Sequence, residues 1–266
     1  MLVTAWTRPG GMSTQDGGYY EEAVAALAEH SYDTAGDGFA RAAWQTLANP
    51  RPEQNPFDAD EKGWVGEGLR HLVTSAICYR VAGRPARAAN RGTEGVAVAA
   101  DLQTALEHPA QQACLQELIA DARLVGGLDS PEESYREAAE SYREAAESID
   151  NPQYWGTTPL FEAVATPIQQ VARSTANGEI AIAWEDLHGS DPAASGRFLA
   201  SRVRTKQQRF PVLLESVVED AYLAAPRGTT EYNNATYRCP DCGSNDVNWV
   251  AENVLCMRCS TPTERE

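Results

Sequence analysis

The sequence predicts a mainly α protein, helical hairpins stacked into a solenoid or bundle, with a small C-terminal β-hairpin domain. Three observations carry this. Residues 18–224 are rich in Ala, Leu, Glu and Arg, and apolar positions recur there at three and four, the spacing of one helix face. Helix starts are marked by a capping residue followed by proline at Ser130-Pro131, Thr158-Pro159 and Asp191-Pro192. The last thirty residues break the pattern with two C-x2-C pairs, Cys239/Cys242 and Cys256/Cys259, thirteen residues apart.

Taken in order, residues 1–17 are rich in Gly, Thr and Ser and read as a flexible tail, and Met12 is a second candidate start. Helices are expected over 18–30, 32–48, 65–82, 84–104, 109–126, 131–149, 159–176, 178–188, 192–208 and 211–224. The stretch 49–63, with Pro50, Pro52 and Pro56, reads as a loop, as does Asn151-Pro152. Ser130-Pro131-Glu132-Glu133 has the pattern of a capping box. Pro167 is expected to kink or divide its helix. Residues 225–235 read as a linker and 236–262 as the terminal domain. Cys78 and Cys114 sit in apolar helical stretches and are expected to be buried, reduced thiols.

The helical body contains an internal repeat. The segment from Tyr32 through Ala35-Gly36 to Ala42-Ala43 matches that from Tyr79 through Ala82-Gly83 to Ala88-Ala89. The expected unit is a hairpin in which Tyr ends the first helix, Ala-Gly turns the chain, and small residues admit close packing. A weaker copy runs from Tyr135 through Ala138-Ala139 to Tyr142 and Ala145. Ala35-x3-Phe39-x2-Ala42 and Ala138-x3-Tyr142-x2-Ala145 resemble the second-helix signature of tetratricopeptide repeats, and residues 134–146 resemble the SNAP-type relatives of that family. The resemblance covers about residues 18–150; the family's first-helix Trp and Leu-Gly positions are missing, and the spacing is longer than its 34 residues. It implies a curved stack of hairpins and a protein-binding scaffold.

The four terminal cysteines have the spacing of a zinc ribbon. A C-x2-C turn converges two thiolates on one ion, and a β return through 246–250 and 253–255, turning at Ala251-Glu252, brings up the second pair. Four thiolates close a tetrahedral zinc, so Cys239, Cys242, Cys256 and Cys259 are expected to hold one structural, non-catalytic Zn2+. The alternative use of four cysteines, two disulfides, would need an oxidising compartment that nothing else suggests.

Charge gives the setting. The formal net charge is −16, with 38 acidic against 22 basic residues, and the basic residues are arginines except Lys62 and Lys206. Such an acidic, lysine-poor composition is that expected of a cytoplasmic protein of halophilic archaeal type; a GC-rich genome would also favour Arg over Lys. No signal peptide or apolar span is expected. Two arginine-rich islands stand out: residues 70–92 carry +5 and residues 191–210 carry +4, leaving about −25 elsewhere. Arg80, Arg84, Arg87, Arg91, Arg197, Arg202, Arg204 and Arg209 are therefore candidates for binding an anionic partner, or else pair with acids on neighbouring hairpins. The ribbon itself carries −1 over residues 236–260, and its Trp249 either packs against its own domain or stacks on a partner.

Catalytic signals are sparse. His30, His71, His108 and His188 make no metal-binding pair, and there is no phosphate loop, G-x-S-x-G or H-E-x-x-H. The expected function is a non-enzymatic interaction scaffold or adaptor with a protein partner. The alternative is a nucleic-acid-associated factor of transcription or the ribosome, using the ribbon and the arginine faces. A third reading, an active site assembled in the helical groove, has no motif behind it.

Overall fold

The computed structural model describes residues 18–48, 63–149, 151–188 and 197–266. The expected N-terminal tail, the proline-rich part of the 49–63 loop and the Asp191-Pro192 cap lie outside the described residues. Ten α-helices are present among the described residues: α1 Tyr19–Ala28, α2 Tyr32–Ala48, α3 Gly63–Val81, α4 Pro85–Ala105, α5 Pro109–Gly126, α6 Pro131–Glu144, α7 Pro152–Gly156, α8 Pro159–Ser174, α9 Trp184–His188 and α10 Arg197–Glu219. A 3-10 turn over Ala145–Ser148 extends α6.

From α1 to α6 each helix packs on the next, as stacked hairpins require. The approach of α4 to α5 is set by Gly92 and Gly126: a Cβ on Gly92 would lie 2.7 Å from the Ala122 carbonyl and 2.8 Å from the Gly126 Cα. The later helices do not extend the stack. Instead α8 packs on α3 and α5, and α10 packs on α6, α8 and α9. The face that a helical-repeat scaffold would leave open is thus occupied by the chain's own helices.

Several boundaries correct the sequence expectation. The helix expected at 178–188 forms only over α9, because Asn177 and Gly178 take left-handed backbone angles and terminate the preceding turn. The helices expected at 192–208 and 211–224 are one helix that runs through Pro211. The proline removes only the bond to the Gln207 carbonyl, and both residues are partly exposed, so water can serve that oxygen. Pro167 likewise lies within a continuous α8. Ser130 forms no side-chain cap: its φ is 57°, and its hydroxyl makes no bond to the first turn of α6. The repeat also divides. Ala82-Gly83 does turn the chain, with Gly83 at φ 69°, but Ala35-Gly36 lies inside α2. There Gly36 receives the Tyr79 ring, so the two copies pack on each other and are not equivalent.

The terminal domain is antiparallel. β3 Val247–Val250 pairs with β4 Asn253–Cys256, and Ala251 and Glu252, both at positive φ, make the two-residue turn. β1 Thr229–Glu231 adds to the free edge of β3, and β2 Tyr237–Arg238 pairs with β5 Glu264–Arg265. The expected linker 225–235 therefore supplies a strand of the ribbon sheet. Val250 and Leu255 share one core cluster with Leu27, Tyr32, Val171 and Leu223, so the ribbon is packed onto the helices. No helix among the described residues is long and apolar enough to cross a membrane.

Candidate metal centre

The β3–β4 hairpin register fixes the site. Val247 opposes Cys256, so β4 delivers Cys256 at its end, directly into the second C-x2-C turn. The first turn is closed by the Gly243 N–H to the Cys239 carbonyl at 3.1 Å, with Gly243 at φ 72°. The second is closed by the Ser260 N–H to the Cys256 carbonyl at 3.0 Å. The four sulfurs lie within 4.8 Å of one another, and Cys239–Cys259 and Cys242–Cys256 are each 3.5 Å apart. A disulfide needs about 2.05 Å. Four ligands at about 2.3 Å from a tetrahedral zinc stand about 3.8 Å from one another, so the sulfur cage has the size of one such ion. Backbone N–H of Arg258 points at Cys256 Sγ, 3.4 Å away, and supplies a hydrogen bond of the kind a thiolate ligand accepts.

Crowding the thiols splits their acidities. The hydrogen bond from Cys256 draws the Cys259 thiol down to about 4, while the same contact pushes Cys256 well up and burial pushes Cys239 up. One thiolate is favoured and further ones are opposed; a cation in the cage is what would allow all four to ionise.

Ser260 occupies the position where the first turn has glycine. It too is left-handed, at φ 63°, but its hydroxyl accepts the Ala225 N–H at 2.8 Å and lies 3.2 Å from the Tyr222 hydroxyl. Strain there is exchanged for an anchor between ribbon and helical body. Arg258 ties Asp246 of the ribbon, at 2.8 Å, to Glu179 beyond α8. Gly178 lies beneath the second cysteine turn so closely that a Cβ would fall 1.7 Å from the Met257 carbonyl oxygen. Trp249 is 37% exposed, with its ring edge-on to Tyr237 at 5.4 Å.

The arginine islands are dispersed by the fold. Arg87 of α4 pairs with Asp33 at 2.9 Å and with Asp37, and stacks on the Tyr79 ring; Arg84 is 3.7 Å from Asp33; Arg91 pairs with Glu94 at 2.8 Å. Arg80 is half-buried beside Gly127. Arg202 corrects the expectation outright: it is wholly buried and cannot meet a partner. Its guanidinium grips Glu117 of α5 at 2.7–3.1 Å and donates to the Phe161 carbonyl and the Tyr142 hydroxyl. One turn on, Lys206 is equally buried, 2.5 Å from Asp121 and 2.9 Å from Glu117. Tyr135 completes the set with a 2.6 Å bond to Asp121. This four-charge core was missed from sequence. Its signal is two complementary i, i+4 pairs, Glu117/Asp121 and Arg202/Lys206, on helices eighty-five residues apart. Arg197, Arg204 and Arg209 remain exposed and form no ion pair among the described residues.

His71 and His188 are buried, and burial, reinforced by a nearby arginine, keeps each neutral by lowering its pKa, for His188 to about 4. Cys78 and Cys114 are buried free thiols with acidity suppressed by burial, Cys114 to about 12. No family model, curated protein or solved structure matches the chain. What stands is a mostly helical protein carrying a four-cysteine cluster that can hold one metal ion.

Proposed function

We propose that this chain is a non-enzymatic interaction protein whose ribbon is a structural zinc module and whose α10 face receives an acidic segment of a protein partner. The observation that carries the reading is the exposure of Arg197, Arg204 and Arg209 without ion pairs among the described residues, in a chain of formal net charge −16. Arg197 and Arg204 are seven residues apart and share one face of α10, and Val212, 65% exposed, adds an apolar contact two turns on. Guanidinium forks bind carboxylates bidentately and are weakly hydrated, which suits close contact in the high-salt cytoplasm that the composition suggests. A scaffold role of tetratricopeptide type is supported by the hairpin stack alone, and α8 and α10 occupying one of its faces moves the proposed contact to the outside of α10. Four sulfur ligands favour zinc among divalent ions and leave it no open position for chemistry.

The test is recovery from native cytosol at native salt by the wild type and by the Arg197→Gln/Arg204→Gln/Arg209→Gln variant, with the recovered species purified and rebound. A defined acidic protein that binds the wild type and loses affinity for the variant supports the proposal. Recovery of RNA or DNA, with affinity falling steeply as salt rises, supports the nucleic-acid reading instead and overturns it.

A further inference from the structure

A cavity of about 520 Å3 lies between α8, the segment Ile180–Trp184 and Pro226-Arg227, with Tyr20 and Arg70 on its rim. Among the described residues three arginines line it, Arg70, Arg173 and Arg227, and no Asp or Glu does. That is an unusual place for positive charge to gather in so acidic a chain. Arg173 is buried and forms no ion pair among the described residues; its Nε and Nη1 donate to the carbonyls of Gly178 and Ala225. Arg227 gives Nη2 to Thr230 Oγ1 at 3.0 Å, while its Nη1 is buried without a partner among the described residues. The indole N–H of Trp184, another lining residue, is also buried and has no partner among the described residues. Arg70 has one acidic neighbour among the described residues, the exposed Glu67, at 3.8 Å. Burial, and then the neighbouring Arg227 charge, lowers the Arg173 pKa to about 10, so the guanidinium is held in a site that opposes its own charge. Buried unpaired donors of this kind are costly unless something accepts from them.

We propose that this cavity binds a small organic phosphate, its phosphoryl oxygens taken by Arg173 and Arg227 and its organic body lying against Tyr20, Ile182 and Trp184. A phosphate monoester brings three acceptor oxygens and nearly two negative charges, which matches a lining rich in donors and cations better than a single carboxylate does. The volume is that of a small-molecule site with apolar walls and a few convergent polar groups. A second cavity of about 510 Å3 continues past Tyr20 and Arg70 but is lined by Glu21, Glu67 and Glu162, which confines the anion to the Arg173 end. The metal centre supports the site. Asn248 of β3 holds the Pro226 carbonyl and the Gly228 N–H, at 2.9 and 2.8 Å, and so fixes Arg227, while Ser260 fixes Ala225 and through it Arg173. The site is independent of the α10 face.

The test is calorimetric titration of the full, zinc-loaded chain with phenyl phosphate, using inorganic phosphate and benzoate as comparators. The expected result is saturable 1:1 binding, tightest for phenyl phosphate. It should weaken about tenfold or more in Arg227→Gln, the loss expected for one charge-assisted hydrogen bond, and by less in Arg70→Gln, which removes only a positive charge at the rim. Arg227→Lys, which keeps the charge and loses the fork, should fall between wild type and Arg227→Gln, and it carries the test if a Gln variant fails to fold. Absence of saturable phenyl phosphate binding overturns the proposal, as does binding that the arginine variants leave unchanged. Tighter binding of benzoate than of phenyl phosphate overturns the phosphate assignment.

Discussion

Replacing Arg202 by Met is the most informative perturbation of the helical body. The four buried charges of Glu117, Asp121, Arg202 and Lys206 sum to zero, and all four side chains are inaccessible to water. Arg202→Met removes three close contacts to the Glu117 carboxylate and the donor to the Phe161 carbonyl, and leaves a net −1 in the core. Breaking one side of a buried pair costs about 3–5 kcal/mol, or roughly 6–20 °C of melting temperature at about 2–4 °C per kcal/mol for a chain of this size. Adding Glu117→Gln restores neutrality, because Lys206 and Asp121 still pair. The double variant should then be more stable than Arg202→Met alone. Chemical denaturation of the four proteins of this cycle gives the coupling. Costs that add to within about 0.5 kcal/mol, the range for independent sites, would refute the claim that the charges act as one unit.

Three further outcomes follow from the same structure. Gly178→Ala, which combines a φ of 79° with a Cβ 1.7 Å from the Met257 carbonyl, should lift the ribbon off the body; faster amide exchange in 222–228 and at the 256–260 turn reports it, and unchanged exchange contradicts it. At position 260, Ala should be worse than Gly. Both lose the acceptor for the buried Ala225 N–H, a loss of about 1–3 kcal/mol, but Gly also relieves the left-handed strain, so denaturation midpoints in the order Ser, Gly, Ala are expected and the reverse order of Gly and Ala is not. Burial, against the pull of Lys206, raises the Asp121 carboxyl to about 6 from 3.8. A raised carboxyl takes up its proton more readily folded than unfolded, so it adds stability as pH falls from about 6 toward 4. Asp121→Asn should remove that part of the pH dependence of melting, and a profile identical to wild type would contradict it.

Much of the fold was legible where local signals act alone. Proline at the first helical position marked the starts of α6 and α8, and the apolar period located α2 and α5 to the residue. The cysteine spacing located the four-sulfur cluster because two C-x2-C turns leave little choice of geometry. Legibility failed where distant contacts decide. Pro211 looks like a break and is tolerated on a partly exposed helix flank. Tyr32 and Tyr79 look like equivalent positions, yet one starts a helix and the other packs across it onto Gly36. Arg202 sits among exposed arginines in sequence and is the most deeply buried of them, because its partner Glu117 lies eighty-five residues away. The Arg173–Arg227 cavity depends on a ribbon folding back on α8, a docking that no short motif announces.

On the proposed reading, one zinc ion held by four thiolates completes a ribbon that is part of the protein's core. X-ray absorption at the zinc edge, on protein purified without added metal, tests it most directly. The expected result is one zinc per chain surrounded by four sulfurs at about 2.3 Å, with Cys259→Ser losing the metal and exposing the Val250–Leu255 face of the ribbon core as well as the cysteine turns. Protein that contains no zinc, or in which Cys239, Cys242, Cys256 and Cys259 are joined as disulfides, contradicts it.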